Sequence, residues 1–409
     1  MSTALSPSIL QTRPLLGWHA ARTIARAQGA LVPASSGPDI MPLTAAAGRT
    51  LAHDLFALTD LPHYSSSAMD GWVVSGDGPW QIGEPIRAGA STELEPLLAG
   101  QARAIATGAP VPPGTTAIVR REQGDTRWSA GGMRLELCDP AFVPRAGRDV
   151  RQRGEEARHG EPLLLAGTLL TPPRLALAAV AGYDELSVLP APVVDLVLLG
   201  DELRTAGLPS DGRVRDAFLP SLPAAVAAVG GARGSVVYGH DTLDSTVEAL
   251  SAATAPLILT TGGTARGPAD FVRSAIDALS AEILVDGVAM RPGHPVMLAR
   301  LASGRLLLAL PGNPLAAMLA FASIGVPVLD GMLRREAAPV ARVPLAADVL
   351  NASGATRLVA CTWTEGGATP TPWQAAGMLR GLASAALVAA VPPGGSAAGD
   401  VVETLPLPW

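Results

Sequence analysis

Two positively charged side chains can stand three residues apart in the segment RPGHP, 291–295. Arg291 carries a permanent charge and His294 a conditional one. Pro292 and Pro295 fix φ twice, and Gly293 lets the backbone bend close to a neighbour. A stiff turn that presents cations suits an oxyanion or a phosphate, although a histidine like His294 taken alone is more often an ordinary loop residue than a ligand. Carboxylates that could serve the same chemistry lie in LLGDEL, with Asp201 and Glu202, and in TTGGTARGPAD, with Asp270. Asp201 and Glu202 are adjacent, so they point different ways, and a solvated loop explains them as well. Asp270 follows a glycine loop at the start of a helix. It reads either as an N-cap or as the carboxylate of a Mg²⁺ or phosphate site. The loop itself, with Gly262, Gly263 and Gly267, can cradle phosphate through backbone N–H groups or serve only close packing.

Three further stretches carry weaker signals. In SSSAMDGW, 65–72, Asp70 and Gly71 read as an Asp-Gly turn. In IATGAPVPPG, 105–114, backbone N–H groups and the Thr107 hydroxyl could meet an anion, or the stretch could be a rigid turn. LPGNP, 310–314, sets Pro311, Gly312, Asn313 and Pro314 at a strand-to-helix corner, with Pro314 at the first helical position.

The elements that must position these residues follow from periodicity. Residues 14–29 read as a helix with a glycine stop, and 41–60 as strand, helical turn and strand. Short alternating runs rich in Gly and Pro over 61–147 predict a small β domain. Residues 148–189 read as a loop, a short strand, a helix opening at Pro172 or Pro173, and a strand. From 191 the texture changes: VVDLVLLG, RGSVVYGH, APLILTTGG and RLLLALPGN are strands, separated by helices in FLPSLPAAVAAVGG, DSTVEALSAAT and ADFVRSAIDAL. Alternation of this kind predicts a mostly parallel sheet covered on both faces. Its ligands would bind beyond the carboxyl ends of the strands. From about 336, short strands return as RVPLAADV, TRLVACTW, SAALVAAV and DVVETLPL, predicting a C-terminal β-barrel or sandwich.

Composition narrows the classes. A chain of 409 residues predicts two to four domains, and 48% hydrophobic residues supply several cores. A net charge of -6 argues against nucleic-acid binding. All 30 basic residues are arginine, so an Arg can stand where a related chain has Lys. Cys138 and Cys361 have no metal spacing and predict no disulfide framework, which with no evident signal peptide predicts a cytoplasmic setting. Residues 306–329 carry no charge, but Pro311, Gly312, Asn313 and Pro314 divide the run into strand, turn and helix, so no membrane span is expected.

The segments SSSAMDGWVV, ATGAPVPPGTTAIVRRE, GRDVRQRGEEARHGEPLLLAGTLLTP, GDEL, TTGGTARGPADFV, VAMRPGHPVM and LPGNPLAAMLAF, taken together and in this order, resemble the MoeA or gephyrin E-domain type of molybdopterin molybdenumtransferase. The resemblance covers most of 45–325. It implies an α/β multidomain protein. A discontinuous linker domain would span 14–52 and 148–190, a β-rich insertion 53–147, a three-layer MoaB/MogA-like α/β domain 191–335, and a C-terminal β-barrel 336–409. It implies a homodimer whose cleft joins the α/β domain of one chain to the insertion of the other. Molybdate would enter the dithiolene of adenylyl-molybdopterin and AMP would leave, assisted by Mg²⁺. Implied partners are the molybdopterin adenylyltransferase and the enzymes that accept the cofactor, with no nucleic acid and no membrane.

Site roles follow by position. Asp70 and Thr107 would reach into the cleft, with Glu156, Glu202, Asp241 and Asp270 as acidic groups and Asp270 and Asp241 at the metal. Gly262, Gly263, Gly267 and Pro311 to Pro314 would line the pterin and nucleotide site. Arg291, His294, Pro295 and Arg357 would hold molybdate. The chain departs from the pattern at Arg291 and His294, where the family usually has Lys. Ala316 and Ala376 replace small hydroxyl residues, and Glu156, Leu199 and Phe218 replace Asp, Thr and Asn. The departures leave two alternatives: a paralogue that binds molybdopterin as a scaffold, or one that hydrolyses the adenylate without inserting metal.

Overall fold

The strand Val193–Leu199 is apolar along almost its whole length because both of its faces are covered. Val194, Leu196 and Leu198 point into one buried cluster, with the helix Phe218–Ala228 and the helical run from Pro314. Val197 and Leu199 point into the other, with Leu243–Ala252 and Val272–Ala278. In this computed structural model, which describes residues 15–264, 271–337, 340–405 and 407–409, the strand belongs to a six-stranded sheet. The order runs Ala232–Gly239, Val193–Leu199, Leu257–Thr261, Leu306–Leu310, Met297–Arg300, Glu282–Asp286. The first four are parallel, and the last two pairings are antiparallel.

The two antiparallel strands, and a third at Val288–Arg291, fall where the sequence showed no strand pattern. Gly287, Pro292 and Pro295 cut the stretch into runs too short for periodicity to register. Val288–Arg291 also leaves the α/β sheet. It joins a seven-stranded sheet ordered Leu16–Gly17, Val288–Arg291, Thr356–Thr364, Leu387–Val391, Val401–Leu405, Arg342–Pro344, with Gly367–Pro370 paired to Thr356–Thr364. The C-terminal sheet therefore includes strands from well before 336.

The insertion forms its own six-stranded sheet, in the order Ala117–Arg120, Gly71–Val74, Gln101–Ile105, Trp80–Ile86, Gly132–Leu137, Gly124–Ser129. Gly71 opens a strand rather than turning a hairpin. A Cβ there would lie 2.1 Å from the Val119 carbonyl oxygen, so only glycine admits the neighbouring strand. The linker pairs Asp39–Pro42 with Glu185–Val188 and Leu55–Phe56 with Pro162–Leu164.

The run Pro314–Met332 is apolar and long enough to cross a bilayer, but 83% of its most apolar window is buried in the core. It continues through a π turn at Phe321–Gly325 into Val326–Met332. The N-terminal helix Trp18–Ala30 packs on it, burying Trp18, Ala21, Ala25 and Gly29. Trp18 Nε1 donates to Ser323 Oγ at 3.0 Å, and Arg22 lies over the Trp18 ring. The two helices meet backbone to backbone: a Cβ at Gly29 would lie 2.0 Å from the Val328 oxygen, and one at Gly331 2.1 Å from the Arg26 oxygen.

Gly29→Ala would gain up to about 1 kcal/mol of helix propensity. The colliding atom is backbone and cannot swing away, so overpacking of about 1–3 kcal/mol should win. A lowered urea midpoint is expected; an unchanged or raised one would refute the contact.

Candidate active site

The RPGHP corner is built by its own backbone. Val288 N–H donates to the His294 carbonyl at 2.9 Å and Val296 N–H to that of Gly293 at 3.2 Å. Gly293 has φ +108, and a Cβ there would press on Met290 and on the Ala316 carbonyl. Arg291 ends its strand in register with Arg357 on the adjacent parallel strand. Like charges directly opposite are unfavourable. Neither guanidinium makes an ion pair among the described residues, although Arg357 Nη1 donates to the Leu350 carbonyl.

Both arginines line one cavity of about 530 Å³, together with His294, Pro295, Pro311 and Asn313. Asn313 precedes the helix that opens at Pro314 and makes no side-chain capping bond. The start of that helix forms part of the cavity lining, through Asn313 and Ala316. Ala316 and Ala376 add small apolar wall, joined by Ala316 N–H donating to the Ala376 carbonyl at 3.1 Å. Burial, and then the charge of Arg291, hold the His294 imidazolium pKa below the ordinary histidine value. His294 is therefore neutral near pH 7 while the cavity holds no anion.

Six cavity residues escaped the sequence reading: Leu350, Asn351, Ala352, Ser353, Leu358 and Gln374. Gln374 Nε2 donates to the Ala360 and Thr371 carbonyls and braces the wall that carries Ala376. The stretch NASGATR did carry an Asx-turn signal six residues before Arg357.

The acidic residues lie elsewhere on the strand ends. Asp201 follows Val193–Leu199 and Asp241 follows Ala232–Gly239. Asp201 N–H donates to Asp241 Oδ2 at 3.2 Å, and His240 Nδ1 sits 2.7 Å from Asp201 Oδ1. That hydrogen bond holds the Asp201 carboxyl below the usual range. Asp201 is thus not the free loop residue that the sequence allowed. Glu202 folds its carboxylate back over Gly200, where a Cβ would lie 2.6 Å from it.

Gly262 has φ +84 and its N–H donates to the Leu310 carbonyl. That donor is spent, and the glycine instead lets three strand ends converge: a Cβ on it would lie 3.0 Å from the Leu199 oxygen, and one on Gly312 would lie 3.4 Å from the Gly262 Cα. Gly263 packs against Val272. Gly267 and Asp270 lie outside the described residues. Among the described residues, no three His, Cys, Asp or Glu side chains cluster to hold a metal ion.

Asp70 Oδ1 accepts from the Thr107 N–H at 2.7 Å and from its hydroxyl at 2.9 Å. These bonds, the backbone one foremost, hold the Asp70 carboxyl low. Both Thr107 donors are therefore committed to Asp70, not offered to an anion as the sequence suggested. Asp70 lines a second recess of about 410 Å³ with Trp72, Arg87 and Arg121. It shares no lining residue with the Arg291 cavity. Glu156 is exposed in another loop, whose base Asp60 ties to Arg153 and to His159 N–H.

Comparison with known proteins identifies the chain's relatives. Residues 18–182 match the MoeA N-terminal region, domains I and II, and 195–331 match a domain described as "Probable molybdopterin binding domain". A molybdopterin molybdenumtransferase of Synechococcus elongatus is 32% identical over 95% of this chain and 99% of that relative. Molybdopterin molybdenumtransferase 2 of Mycobacterium tuberculosis is 35% identical over 69% of this chain and 72% of its own. The crystal structure of a molybdopterin biosynthesis MoeA protein from Pyrococcus horikoshii superposes with a TM-score of 0.78 at 21% identity, covering 96% of this chain and 100% of that one, which shows the shared fold. The chain belongs to the molybdopterin molybdenumtransferase family.

Proposed function

We propose that this chain inserts molybdate into adenylated molybdopterin with release of AMP, and that the Arg291 cavity is its oxyanion pocket. The observation that carries the proposal is the in-register pair Arg291 and Arg357, facing one cavity with no carboxylate among its described lining residues. A tetrahedral dianion would relieve their repulsion, and each planar guanidinium can donate two bonds to it. His294 would add a third donor from the same corner, and the Asn313 carboxamide a polar contact from the start of the helix at Pro314.

Magnesium belongs to the proposal. Mg²⁺ keeps several waters and takes one or two carboxylates besides phosphate oxygens. Asp241, with Asp201 beside it at the ends of adjacent parallel strands, offers hard oxygen donors of that kind, and Asp270 would complete the set. The ion, when bound, supplies charge neutralisation at the phosphates whose bond is cut. A homodimer is proposed on the same grounds: a cleft using both the Asp70 recess and the Arg291 cavity has to join two surfaces that share no residue, which a second copy can do.

Purified protein given adenylated molybdopterin, Mg²⁺ and molybdate should release AMP and yield active cofactor. Arg291→Ala should lower molybdenum insertion at limiting molybdate by about 10–100-fold, the worth of a hydrogen bond to a charged group. AMP release with no cofactor formed would instead identify a hydrolase, and tight pterin binding with neither product a scaffold.

The pH dependence has a definite sign. His294 starts with a lowered pKa, and a bound dianion must raise it, so binding takes up a proton between the two values. Molybdate affinity should be highest below the free-state pKa and should fall as pH rises through the bound-state value. His294→Lys should flatten that profile over about pH 5–8 and lower the molybdate needed. Titration calorimetry at several pH values checks this; the same slope in both proteins would remove His294 from the pocket.

A further inference from the structure

Part of the cavity wall is the loop that supplies Leu350, Asn351, Ala352 and Ser353. Asn351 is 5% exposed, and both ends of its carboxamide are engaged. Its Nδ2 faces the carbonyls of Ala355 at 2.9 Å, Val391 at 3.2 Å and Pro392 at 2.8 Å. Its Oδ1 accepts from Ser353 N–H at 3.2 Å and from Ser353 Oγ at 2.6 Å. Its backbone carbonyl accepts from Gly394 N–H at 3.0 Å. A carboxamide has donors at one end and an acceptor at the other, and this site uses both. Asn351 thereby folds 351–355 on itself and ties the fold to the end of the strand Leu387–Val391.

The tie reaches a charged group one residue away. Leu350 carries the carbonyl that accepts from Arg357 Nη1. No ion pair aims the Arg357 guanidinium among the described residues, so this carbonyl is the polar contact that sets its direction. A shifted loop would displace the carbonyl, and with it the guanidinium that stands beside Arg291.

Resting on the cavity being the oxyanion pocket, we propose that Asn351 is a positioning residue of that pocket. It fixes the Leu350 carbonyl, and through it the Arg357 guanidinium, without touching the oxyanion itself. The relation is that of an outer hydrogen-bond partner to a ligand-binding side chain.

Calorimetric titration of the full chain with sodium molybdate tests this in a double-substitution cycle. Asn351→Ala should weaken molybdate binding about tenfold, the loss typical when an outer partner is removed. In an Arg357→Ala background the same change should cost less than about twofold, because the group it positions is gone. Ser353→Ala removes only the two Ser353 Oγ bonds and should give a smaller loss with the same dependence on Arg357. It serves as the test alone if Asn351→Ala does not fold. Losses equal with and without Arg357, or no loss in either variant, would overturn the positioning role. If the unaltered protein and Arg291→Ala both fail to bind molybdate, the pocket assignment falls and the inference with it, an outcome distinct from an additive cycle.

Discussion

Two arginines held in register on adjacent parallel strands bring like charge to one cavity, and main-chain pairing between two units of the fold keeps them there. Val288 and Met290 are fully buried while Arg291 is exposed, so the strand alternates between core and cavity. Gly287, at φ +78, releases this strand from the α/β sheet, and the Pro292-Gly293 corner returns the chain to it. Between those points the strand lies between Leu16–Gly17 and Thr356–Thr364. Burial of two side chains and a parallel ladder on each side offset a repulsion that water and salt screen in part. The register places Arg357 opposite Arg291 and nowhere else.

That register holds only if the units carrying the strands keep their places. Leu16–Gly17 runs directly into the helix Trp18–Ala30, whose contact through Gly29 and Gly331 is too close for any added side chain. Arg335 joins further parts of the frame. Its guanidinium donates to Thr50 Oγ1 at 3.0 Å and to the Val229 carbonyl at 2.7 Å, and lies 3.6 Å from Asp330. Its carbonyl accepts from Arg26. Burial pushes the Asp330 carboxyl up, and the nearby Arg335, Arg26 and Arg22 charges act against it. Such a half-buried cluster gains little net stability but fixes geometry, because breaking one partner strands the others.

Much of this frame was legible in the residues. Continuous apolar strands announced a sheet covered on both faces, and LPGNP announced the corner at which Pro314 opens its helix. The RPGHP corner was legible because two prolines and a glycine limit what the backbone can do. The departure of Val288–Arg291 was not. Its partner Thr356–Thr364 lies more than sixty residues on, and four residues carry no period that names a sheet. Asn351 was hidden for a related reason: the carbonyls it serves at Val391 and Pro392 are 40 and 41 residues away. Asp70 and Thr107 were recognisable as a pair only by resemblance, since nothing local says that one spends both donors of the other.

The absence of lysine gives the cavity a particular charge balance. Its two permanent charges are guanidiniums, and burial and the Arg291 charge hold the pKa of its third basic group, His294, below the ordinary value. A dianion is matched by the two arginines alone, so any further pull from His294 depends on a proton taken up with it. Ala316, Ala376, Pro295 and Pro311 line the same space with apolar atoms, which lowers the local dielectric and strengthens each remaining charge. A pocket with fewer hydroxyl donors therefore depends more on where its guanidiniums point. In the oxyanion pocket proposed above, that would shift selectivity from direct contacts with the anion to the bonds that aim Arg291 and Arg357.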